Sequence, residues 1–139
     1  MNTILAPVLA LVGWTFVMWL WMYATRIPAM QAAKMNAAKL KQKSDLDPLP
    51  VKVKQIADNY NHLHEQPVLF YAVCLVIAAL GGADSAALAL AWAYVAIRVV
   101  HSLMQATINF VPARFAIFTL GSIVLFVLWL ITALRVFAG

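Results

Sequence analysis

Four long apolar runs divide the chain, and almost every charge falls between them or at their ends. The first extends from Thr3 to Ala24 without a charged residue. The second runs from about Gln66 to Ala83, the third from Ser85 to about Val111, and the fourth from Phe115 to Leu134. At about 1.5 Å of rise per residue, each approaches the roughly 20 residues a helix needs to cross about 30 Å of hydrocarbon. Backbone groups that face lipid must be satisfied within the structure, which leaves helices and closed barrels. The two-residue alternation of barrel strands is absent. The pattern therefore predicts an all-α integral membrane protein, a four-transmembrane-helix bundle forming a single domain over 1–139, with helices at about 3–43, 52–81, 85–110 and 112–137. The first run is too long for a signal peptide; no basic segment precedes it and no clear small-residue cleavage site follows, so it reads as a retained span.

Composition agrees with this reading. A chain of 139 residues that is 65% hydrophobic, with a mean hydropathy of +0.86, carries more apolar surface than a soluble domain of that size could hide. The single cysteine, Cys74, excludes an internal disulfide, and its apolar surroundings assign it to packing.

Charge sets the expected orientation. The net charge is +5, and the loop at about 26–54 carries Arg26, Lys34, Lys39, Lys41, Lys43, Lys52 and Lys54 against Asp45 and Asp47. The turn between the second and third runs, Gly81-Gly82-Ala83-Asp84-Ser85, has no Lys or Arg. The positive-inside rule then puts the basic loop in the cytoplasm and both termini on the opposite side. Residues 27–43 lack glycine and are rich in good helix formers, so the first helix is expected to project into the cytoplasm with a kink at Pro28. Its lysines would attract anionic lipid headgroups by about 1 kcal/mol each. Residues 44–50 (SDLDPLP) read as a turn before the second helix. Few aromatics interleave the lysines, which argues against nucleic-acid binding.

Polar residues inside the spans carry the functional signal. Tyr94, Arg98, His101, Gln105 and Asn109 fall within about 80° of one another on the third helix, a single stripe. A charge at mid-membrane costs about 2.5–3.5 kcal/mol on insertion scales, so Arg98 should face protein or water with a partner. Two readings stay open: a structural pair between Arg98 and Glu65, or a polar pocket for an anionic ligand. On the second helix, Asn61 and His62 can share a face with Glu65. Pro67 should free a carbonyl near Leu63 and bend that helix. Pro112 suits the first turn of the fourth helix and sets Arg114 near its start. All of these residues lie in the cytoplasmic half of the expected bundle. His62 and His64 point from different faces with no completing Cys or carboxylate set, so no metal site is expected. Gly121 with Ser122 reads as a point of close helix contact.

These motifs resemble the MAPEG family, the membrane-associated proteins in eicosanoid and glutathione metabolism. One motif is Asn61-His62-Leu63-His64-Glu65-Gln66-Pro67-Val68-Leu69-Phe70-Tyr71, similar to the family's Asn/Glu/Pro segment opening helix two. The other is Arg98-Val99-Val100-His101 with Arg114 sixteen residues past Arg98, similar to the helix-three signature and the arginine that follows it. The resemblance implies a homotrimer with sites between subunits, in a bacterial inner membrane. It implies glutathione as co-substrate and no metal. Asn61, His62, Glu65, Arg98, His101 and Gln105 would bind glutathione, Glu65 holding its amino group and the arginines its carboxylates. Arg114 would be the catalytic residue, a cation that stabilises the thiolate. The activity implied is that of a glutathione transferase or peroxidase acting on small lipophilic electrophiles or hydroperoxides that arrive through the bilayer.

The chain departs from the family's enzymes at three positions. Those enzymes carry an Arg, an Asn four residues later and a Glu three after that; counted back from Glu65, this chain has His62 and Asp58. A tyrosine four residues past the helix-three histidine in some relatives is Gln105 here. Asp58 would repel a glutathione carboxylate unless Lys54 or another subunit compensates. A non-catalytic member of the fold that binds lipid or a protein partner is the alternative these departures keep open.

Overall fold

The computed structural model describes residues 3–139, and for Ala37 and Lys43 the backbone alone. Residues 1 and 2, at the edge of the expected domain, lie outside the described residues. Five helices follow in order: α1 Leu5–Ala32, α2 Val51–His62, α3 Pro67–Ala79, α4 Ser85–Ala106 and α5 Val111–Phe137. Two short 3₁₀ turns, Ala37–Lys39 and Lys43–Leu46, sit between α1 and α2. No strand occurs among the described residues. Four stretches are long and apolar enough to span a membrane: Leu5–Ala32, Val51–Ala79, Ser85–Ala106 and Val111–Phe137. The protein is an integral multi-pass membrane protein built as a helical bundle, with α4 packed against α1, α2 and α5.

The second span is broken. Past His62 the backbone tightens into i→i+3 turns, His64 N–H to Asn61 O, Glu65 N–H to His62 O and Leu69 N–H to Gln66 O. Pro67, which has no N–H to offer the Leu63 carbonyl, opens α3 at its first turn. The 13 residues of α3 reach only about 20 Å, short of the roughly 30 Å of hydrocarbon. The end of α2 and the break must therefore lie at membrane depth, which brings His62, Glu65 and Gln66 to the edge of the apolar layer.

Helix α1 stops well before the expected Lys43. It closes at Ala32 through a reversal in which Met35 N–H bonds Met30 O and Lys34 takes a left-handed conformation, φ 55°. Good helix formers alone did not carry it on, because a helix leaving the membrane has no face to pack against. The chain instead turns back, buries Leu49, and sets α2 alongside α1. Within this loop Asp45 Oδ2 accepts the N–H groups of Lys41 (2.8 Å) and Gln42 (3.2 Å), which hold its carboxyl below the ordinary range.

Helix α4 also ends early. Asn109, expected on its stripe, lies beyond Ala106 in a left-handed conformation (φ 51°), its N–H bonded to Met104 O. At the opposite end of the bundle, Gly81 and Gly82 (φ 97° and 111°) close α3, and Asp84 caps α4 by accepting Ala87 N–H at 2.8 Å. Arg135, from the end of α5, donates to Gly82 O (2.7 Å) and Leu80 O (2.9 Å), tying the turn to the last helix.

Helices α4 and α5 approach closely at Gly121, where an added Cβ would stand 3.1 Å from Ile97 Cγ2 and 3.9 Å from Tyr94 Cε2. Gly121→Leu is expected to force α4 and α5 apart and to lower stability by about 1–3 kcal/mol. The check is the thermal midpoint in detergent; an unchanged midpoint would show that the helices are not tightly apposed there.

Candidate functional site

The centre of the site is a guanidinium. Arg98 on α4 is 1% exposed, and its Nη2 lies 3.0 Å from His62 Nδ1 on α2. The two histidine rings stack, His62 on His101 at 5.1 Å between centroids, and Phe118 of α5 packs against both at 5.4 and 6.0 Å. Three helices thus build the centre: α2 supplies His62, α4 supplies Arg98 and His101, and α5 supplies the aromatic floor.

Among the described residues, no carboxylate forms an ion pair with Arg98. Glu65 is 68% exposed at the break and approaches His62 instead, Oε2 to Nε2 at 3.9 Å. The structural pair of Arg98 with Glu65 is therefore not formed within the chain; the break after His62 leaves Glu65 exposed and sets Arg98 against the His62 ring. Among the described residues, the Nε and Nη1 groups of Arg98 find no hydrogen-bond partner, nor does His101 Nδ1. A buried charge without an opposite charge costs several kcal/mol, so an unpaired arginine here is a strong demand for an anion.

Arg114 supplies a second cation. It stands in the first turn of α5 behind Pro112, half-buried, with its backbone N–H on Phe110 O. Its Nη1 donates to Asn109 Oδ1 at 2.6 Å. A neutral amide holds this guanidinium, so its charge stays available, and the charges of both arginines act on His62 and His101.

The predicted residues separate into two layers. Arg98, His101 and Gln105 are buried inside the bundle, whereas His62 and Arg114 are half-buried and Asn61 and Glu65 are exposed. Of the exposed pair, only Glu65 has a polar contact with the centre. Asp58 lines a separate cavity of about 330 Å³, together with Arg26, Lys54, Gln55 and Asn109. Two acids, Asp47 and Asp58, and two cations, Arg26 and the Lys54 named from the sequence, line this cavity.

Sequence reasoning missed a hub beside this centre. Gln66 donates through Nε2 to Ser122 Oγ at 2.7 Å and accepts from Tyr94 O–H at 3.1 Å. Ser122 donates its own O–H to Phe118 O at 2.8 Å. This chain of bonds locks the break to α4 and α5 and fixes Phe118 under the histidines. The signal available was an amide side chain next to Pro67 at the mouth of an apolar run; its partner lies 56 residues away and leaves no local trace. Gly121, read as a close-contact position, serves as one, while Ser122 beside it belongs to the hub.

The arrangement gathers two arginines and two imidazoles in the half of the bundle that carries the basic loop. The MAPEG family model matches residues 4–134 of the 139. No curated protein and no solved structure matches the chain.

Proposed function

The chain belongs to the MAPEG family, and on that premise we propose that it is a membrane-bound glutathione transferase or glutathione-dependent peroxidase acting on lipophilic electrophiles or hydroperoxides. The observation that carries the reading is Arg98, buried against His62 with two of its N–H groups unbonded among the described residues, while Arg114 is held by the neutral amide of Asn109. Glutathione brings what such a site lacks, two carboxylates and a thiol that becomes an anion. In this reading Arg114 faces the sulfur and favours the thiolate by direct attraction. Arg98 takes a carboxylate, and Glu65, exposed at the mouth, takes the amino group. His62, His101 and Gln105 orient the peptide, and Asn61 completes the rim from a neighbouring subunit of a homotrimer. Arg26 and Lys54 line the cavity that Asp58 and Asp47 also line, so the Asp58 carboxylate does not stand there without cations. The basic loop, and with it the mouth, faces the cytoplasm of a bacterial inner membrane, where glutathione is present. The second substrate comes laterally from the lipid.

A thermal-shift titration of the detergent-purified protein with reduced glutathione tests this. Saturable stabilisation is expected, about 2.7 kcal/mol at a hundredfold excess over Kd. A flat response through millimolar glutathione would remove the reading and turn the search towards lipids and protein partners.

A further inference from the structure

The polar centre does not end at Arg98. On α2, Gln55, Asn59 and His62 follow one another at helical spacing along one stripe, and Ser102 and Gln105 continue the Arg98/His101 stripe along α4. The two helices pack together and run in opposite directions. His62 meets Arg98 and His101, so one turn towards the loop end Asn59 comes opposite Ser102 and Gln105. One turn further, Gln55 reaches the cavity it lines with Arg26, Lys54, Asp58 and Asn109.

Apart from His62, each polar side chain along these two stripes has buried atoms that make no hydrogen bond among the described residues. They are Gln55 Oε1, both Asn59 amide atoms, Ser102 Oγ, Gln105 Oε1, His101 Nδ1, and Arg98 Nε and Nη1. Asn59 and Ser102 are wholly buried. Leaving such groups unsatisfied is costly, because each keeps its full desolvation penalty, and a bundle would not retain so many in a row. Their alternation of donors and acceptors is what bridging water requires, since each internal water needs two to four polar partners, roughly three on average. Phe70, Cys74 and Ile77, by contrast, are buried in the hydrophobic core.

We infer that these residues hold a file of internal water that joins the loop-end cavity to the Arg98–His62–His101 centre. A thiol that becomes a thiolate in a closed pocket must give up its proton, and this file is a route by which it reaches bulk water. That use rests on the glutathione reading; the water path itself does not.

Radiolytic hydroxyl-radical labelling of the ligand-free full chain in nanodiscs, in heavy-oxygen water, tests the path. Radicals form where water sits, so His101 is expected to take up label although it is 2% exposed. Cys74, equally buried and intrinsically more reactive, is expected to stay unlabelled and serves as the internal control for folding. Asn59→Leu and Gln105→Leu should each lose the His101 label while Cys74 remains protected. Unlabelled His101 in the wild-type protein, or equal labelling of Cys74, would overturn the inference. So would His101 labelling that survives in both variants with Cys74 protected, because the water would then arrive past His62. None of these outcomes depends on whether glutathione binds.

Discussion

Replacing Arg114 by alanine is expected to reduce glutathione-dependent turnover by about 10²–10³-fold, the range seen when one preorganised donor to a developing anion is removed. The fold should be little affected. Arg114 is half-buried, and what it loses is one bond to Asn109, a turn residue outside the core. The effect should sit in the rate at saturating glutathione more than in the concentration needed for saturation, because Arg114 is assigned to the sulfur. Initial rates with a lipophilic electrophile, measured across glutathione concentrations, would check both parts. Turnover unchanged in the variant would remove Arg114 from the chemistry.

Arg98→Met should have the second large effect, and it runs in opposite directions for binding and for stability. Truncating one partner of a buried, hydrogen-bonded charge contact typically costs about 2–5 kcal/mol of binding free energy. Glutathione stabilisation should therefore vanish at accessible concentrations. The empty protein, however, should be as stable as the wild type or more so, by up to about 4 kcal/mol, because methionine fills similar volume without a charge to desolvate. A structural role for Arg98 predicts the reverse, a marked loss of stability. Thermal midpoints of both proteins, with and without glutathione, separate the two.

Much of the fold was legible because membrane burial enforces a coarse rule. The apolar runs ending near Ala83 and Leu134 map onto α3 and α5, and Pro67 and Pro112 mark helix starts that only proline chemistry explains. The stripe of Tyr94, Arg98, His101 and Gln105 was legible for the same reason, since a helix that must bury polar groups puts them on one face. Where tertiary contacts decide, the local signal failed. Residues 33–43 favour a helix by composition, yet the chain reverses at Lys34 so that α2 can lie against α1. Asn109 has the spacing of the stripe but sits past the end of α4, where its side chain holds Arg114. Its identity carried a hint, because asparagine tolerates the left-handed conformation found there.

The candidate site was legible in its members and illegible in its pairings. His62, Arg98, His101 and Arg114 could each be singled out, but that Arg98 meets His62 rather than Glu65 depends on how far the chain turns at residues 63–66. A one-residue change in that break would rotate Glu65 by about 100° on the helix. Gln66 and Ser122 left no periodic mark, since a single long-range bond between two helices has no counterpart in either helix alone.

The most direct measurement is the ultraviolet difference spectrum of the protein on adding reduced glutathione, followed across pH. Cys74 is the single protein thiol and lies fully buried in the apolar half of the bundle, so Cys74→Ser provides a clean background. The site described here predicts a thiolate band that saturates with glutathione, persists in Cys74→Ser, appears at lower pH than for free glutathione and is absent in Arg114→Ala. Saturating glutathione without a thiolate band, or a band unchanged in Arg114→Ala, would contradict it.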